Sequence, residues 1–167
     1  LSLLTLLLLL SSLSFARELS RDRTQLGEIA AVINSEGKQG DSIVFCPDQL
    51  APAGNRALGD GYQFFTYPTL GQGERIDWYD YRKRNLESSP SLVTENFLSR
   101  STSQQNIWLV WIDGFESFGK QCSLFRSELN RWLGGGETLV NADGEEYYNP
   151  ANLSLIHISE PTRRPKI

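Results

Sequence analysis

Two aspartates follow short apolar runs in a way that could do chemistry. Asp48 stands after SIVFC and Pro47, and Asp113 ends the run IWLVWI. If both runs are neighbouring parallel strands, the loops after them open at one edge of the sheet, where α/β folds bind ligands. The candidate crevice is then Asp48, Gln49 and Asn55 from the first loop, with Asp113 and Glu116 from the second. A carboxylate pair in such a crevice suits general acid–base work or glycoside cleavage. The plainer reading is that both aspartates cap turns or helices, a position Asp favours.

A second cluster mixes aromatic and basic residues. Trp78, Tyr79, Tyr81, Arg82, Lys83 and Arg84 fall within seven positions, a composition that serves a sugar, a membrane interface or a phosphate, or simply one half-buried amphipathic helix. With one histidine, His157, and two well-separated cysteines, no metal site is expected. G-x-G-x-x-G and Walker patterns do not occur, and no cofactor is expected. The formal charge of −4 without a basic stripe argues against a nucleic-acid partner.

Positioning these groups requires alternating strands and helices. Periodic apolar residues predict helices over 24–36, 91–99 and 120–133, with shorter ones near Ala57 and Leu58 and over 77–86. Strands are expected at 42–46, 62–67, 107–112 and 138–141. The expected fold is α/β: a small Rossmann-like, mostly parallel sheet of about four strands, with helices on both faces. Neighbouring first and third strands would also bring Cys46 near Cys122. Two buried thiols or a disulfide both fit that placement.

The two ends differ in kind from the middle. Residues 1–16, LSLLTLLLLLSSLSFA, carry no charge in a chain that contains no methionine, and read as a truncated transmembrane helix. A clipped signal peptide is the rival, with Ser14 and Ala16 as small residues near a cleavage point. Arg17, Arg21 and Arg23 follow as a basic flank, and 17–37 reads as a connecting helix before a domain at 38–152. At the far end, LSLIHISEPTR (153–163) resembles the codon-by-codon translation of a transposase adapter used in sequencing libraries. Residues 153–167 are therefore expected to be a non-native tail with no part in the fold.

The stretches IVFCPDQLAPAGNR (43–56), TYPTLG (66–71), IDWYDYRKRN (76–85), IWLVWIDGF (107–115) and ADGEEYYNPANL (142–153), together with Cys122, carry a wider resemblance. In order and spacing they resemble the C-terminal extracytoplasmic domain of bacterial GT-C-type membrane glycosyltransferases, which use polyprenyl-phosphate sugars. The resemblance implies a last membrane helix at the apolar run, a domain outside the cytoplasm at the cell membrane, and a Cys46–Cys122 disulfide. In such enzymes the catalytic acid lies in an early loop between membrane helices, so no catalytic residue carries over to these positions. The expected role is a non-catalytic accessory domain whose partners are the lipid bilayer and a lipid-linked sugar or cell-envelope glycan acceptor. The alternatives are a secreted or anchored α/β binding domain without transferase activity, and a hydrolase using Asp48 and Asp113.

Overall fold

The computed structural model describes residues 3–19, 22–101 and 105–156. Arg21, His157 and the rest of the expected tail lie outside the described residues. The elements are α1 (Leu3–Leu19), α2 (Leu26–Glu36), β1 (Ser42–Cys46), α3 (Ala51–Leu58), β2 (Gln63–Thr66), α4 (Tyr81–Leu86), α5 (Pro90–Leu98), β3 (Ile107–Trp111), α6 (Gln121–Leu133), β4 (Gly136–Val140) and β5 (Asn152–Ile156).

The fold is α/β, with one sheet in the order β2-β1-β3-β5-β4. β1 pairs in parallel with β2 and β3, so the two strands that carry Asp48 and Asp113 are neighbours. Two expectations need correction. The sheet has five strands, and β5 runs antiparallel to both β3 and β4. It is therefore mixed, and the Rossmann-like, mostly parallel arrangement does not hold beyond β2-β1-β3. The extra strand is built from residues 152–156, most of them assigned above to a tail outside the fold. Leu153 and Ile156 are fully buried there.

Alternation along the strands feeds two cores. Ile43 and Phe45, Trp108 and Val110, and Leu153 and Leu155 face one side, against Leu26, Ile29 and Ile33 of α2 and Leu58 of α3. Val44 and Cys46, Ile107 and Leu109, and Ile156 face the other, against Phe97 of α5 and Phe125 and Leu129 of α6. Side chains alternate across a strand, so a central strand clad by helices on both faces is apolar throughout. All five residues of β1 are buried accordingly. The helix α2, expected as a connector, is a core helix: Ile29 and Ile33 have no exposed surface.

A disulfide joins Cys46, at the end of β1, to Cys122 in the first turn of α6, with Cα atoms 5.5 Å apart. Closing a loop across 76 residues restricts the unfolded chain and contributes about 2–4 kcal/mol.

The apolar run does form a helix, α1, of 17 residues. Among the described residues no helix is long and apolar enough to cross a membrane. Leu7, Leu8, Leu10, Leu13 and Phe15 of α1 are nonetheless exposed.

Candidate functional site

The carboxyl edge of β1 leads through Pro47 into a single 3₁₀ turn, Asp48–Leu50, and then α3. This turn pulls Asp48 inward, leaving it only 6% exposed. A buried carboxylate needs donors, and the Tyr81 hydroxyl supplies one at 2.5 Å. Burial pushes the Asp48 carboxyl above its ordinary value. The Tyr81 hydrogen bond, the nearby Arg84 charge and the backbone N–H groups of Gln49 and Asp48 offset part of that rise. Tyr81 is pushed well above the usual phenol range, first by burial and then by its bond to and the charge of Asp48. The nearby Asn85 and Gln49 side chains offset part of that rise.

Tyr81 opens α4, and Arg84 lies one turn on, its guanidinium 5.7 Å from the Tyr81 ring centre. Arg84 reaches back over the preceding loop. It donates to Asp77 Oδ2 at 3.2 Å, to the Asp77 carbonyl at 2.5 Å and to the Tyr79 carbonyl at 2.9 Å. The Trp78 ring leans on Tyr81 with centroids 5.0 Å apart. The aromatic–basic cluster is thus a connected unit: Asp48 holds Tyr81, Tyr81 backs Trp78, and Arg84 fixes the loop that carries Trp78 and Tyr79.

Asp48 and Asp113 have different partners. Asp113 accepts from the backbone N–H groups of Cys122 and Ser123, each at 3.1 Å, and from the Ser123 hydroxyl. It caps the first turn of α6, the plainer of its two readings. Glu116 is exposed and pairs with Arg82 at 2.8 Å, linking the loop after β3 to α4. Asn55 donates to the Gln72 carbonyl at 2.9 Å and lines a different hollow, of about 640 Å³, beside Tyr62 and Phe64 at the β2 edge. The five crevice candidates are thus found in four settings: Asp48 with its neighbour Gln49 by Tyr81, Asp113 at α6, Glu116 on Arg82 and Asn55 on the Gln72 carbonyl.

Two buried polar side chains escaped sequence reasoning. Asp41, at the amino end of β1, accepts from the backbone of Lys38 and Asn106 and from Trp108 Nε1 at 2.9 Å. Gln25 bonds the Asn141 carbonyl through its amide nitrogen, and its oxygen accepts from the Asp143 and Ala151 backbone. Their partners lie up to 126 residues away, so no local pattern signals either. Among the described residues no group of three His, Cys, Asp or Glu side chains could hold a metal ion.

No protein-family model, curated protein or solved structure matches this chain.

Proposed function

We propose that this chain is the accessory α/β domain of a membrane glycosyltransferase that takes its sugar from a polyprenyl-phosphate donor. It acts outside the cytoplasm in acceptor recognition and is not itself the catalyst. The observation that carries this reading is the fully buried Cys46–Cys122 bridge in a domain that follows α1. A buried structural disulfide fits an oxidising compartment. The exposed leucines of α1 suit an apolar surrounding such as lipid.

The fate of the acidic residues agrees with a non-catalytic part. A hydrolase built on Asp48 and Asp113 needs both carboxylates free to face a substrate. Asp48 is held by Tyr81 and Asp113 by the start of α6. The chemistry of transfer then belongs to membrane loops elsewhere in the parent enzyme, as the family resemblance implies.

The test is the complete reading frame and its activity. Several further apolar spans and an early acidic loop upstream are expected. Deleting residues 38–156 from that enzyme is expected to raise KM for the acceptor and leave KM for the lipid-linked donor unchanged, as loss of acceptor binding would. A lone signal segment upstream, with no further spans, overturns the transferase reading in favour of a secreted or anchored binding domain.

A further inference from the structure

The loop 77–79 keeps two aromatic side chains in water and uses several polar contacts to hold them there. Trp78 is 63% exposed and Tyr79 79% exposed. Single exposed aromatics are ordinary. Here, however, the loop under both is fixed by Arg84, which donates to the Asp77 and Tyr79 carbonyls and to the Asp77 carboxylate, and by the Tyr79 N–H, which donates to Asp77 Oδ1 at 3.0 Å. The indole is backed by Tyr81, which buried Asp48 anchors in turn. Such preorganisation lowers the ordering cost of binding.

Beside the platform lies a shallow hollow of about 540 Å³, walled by Trp78 and Leu86 and by Asp80, Glu87, Arg82 and Lys83. Two carboxylates and two cations line it, and Arg82 is already paired with Glu116. The wall carries no net charge to attract a phosphate or an anionic headgroup, which needs an excess of Lys and Arg. It does offer acceptors and donors together, beside an open aromatic face. A neutral polyhydroxylated ring matches that set: its apolar C–H face covers the indole while its hydroxyls reach the charged wall.

We propose that Trp78 and Tyr79, with the adjoining hollow, form a subsite for a neutral pyranose unit of a glycan. The proposal deepens the accessory-domain reading and rests on it for the source of the glycan. Its geometry stands apart from that reading.

The experiment uses the whole, oxidised chain on an array of neutral and sulfated oligosaccharides, with phosphatidylglycerol vesicles as a separate arm. Neutral oligosaccharides should be retained, and raising salt to about 0.5 M should change little, because the contact is not ionic. Trp78→Ala should weaken retention by about tenfold or more, and Tyr79→Ala should weaken it too, with thermal unfolding unchanged for both surface variants. Retention of no neutral glycan overturns the proposal, as does equal retention by Trp78→Ala or a preference for the sulfated glycans or the vesicles. The two readings fail separately. Neutral-glycan retention without upstream membrane spans keeps the subsite and removes the transferase. Spans without retention do the reverse.

Discussion

At the scale of single residues, Asp48 and Tyr81 form the most consequential pair in the domain. Asp48 keeps its proton to a higher pH in the folded chain than its ordinary value of 3.8, because burial penalises the charged form most. Within the window between the unfolded and folded values the folded chain binds more protons, so its stability falls as pH rises through that window. Asp48→Asn cannot titrate there. In urea unfolding at a series of pH values, wild type should therefore lose stability relative to Asp48→Asn as pH climbs from about 4, then run parallel to it above the folded value. Tyr81→Phe removes the hydrogen bond that holds the Asp48 value down, so it should extend the window upward and cost about 1–3 kcal/mol. Parallel curves for wild type and Asp48→Asn across the whole range would show that Asp48 is not perturbed. The sequence could mark Asp48 as a residue at a strand end. It could not show Tyr81 as its partner, because the two stand 33 positions apart with no repeating pattern to link them.

At the scale of elements, helix α3 depends on the one residue that lets it approach the sheet. A Cβ built on Gly54 would lie 2.3 Å and 2.4 Å from ring atoms of Phe45, which is fully buried in β1. Two effects oppose each other in Gly54→Ala. Helix propensity favours alanine by about 1 kcal/mol. Overpacking a filled core costs about 1–3 kcal/mol, and a ring closed in on all sides cannot move away cheaply. The clash should win, with a lower unfolding temperature. Gly27, in α2, has nothing within 4 Å of its own added Cβ, so Gly27→Ala should be neutral or slightly stabilising. An equal response at both glycines would show that propensity alone governs them. The strands β1, β2, β3 and β4 were readable because each is a short apolar or β-rich run bounded by turn residues. Thus Gly40 and Asp41 precede β1 and Pro47 follows it. β5 was missed for a different reason, since its residues also read as translated adapter. Its antiparallel direction is set by pairing with β3 and β4, which no local run reveals.

At the scale of the whole molecule, β5 decides whether the sheet is one piece. It sits between β3 and β4, and among the described residues β4 pairs with β5 alone. The slot asks little of a sequence beyond alternation. Leu153 and Leu155 enter the core shared with α2 and α3, while Ile156 enters the core shared with α5 and α6. Ser154 turns the same way as Ile156, and its hydroxyl accepts from Trp111 Nε1 at 3.2 Å. Leu-Ser-Leu-Ile meets those demands because it has the required period of two. Burying Leu153, Leu155 and Ile156 contributes about 1.5–3 kcal/mol each. Their sum is comparable to the roughly 5–15 kcal/mol that stabilises a whole domain. A chain ending at Asn152 should therefore lose cooperative unfolding, with β4 and the contacts of Gln25 to Asn141 and Asp143 released first. Ending it at Ile156 should restore the transition. So should replacing residues 153–156 by Val-Thr-Val-Val, which keeps the alternation but none of the adapter-like sequence. A cooperative transition at an unchanged temperature in the chain ending at Asn152 would show that the sheet closes without β5. Failure of the replacement strand alone would show that the slot requires these particular side chains.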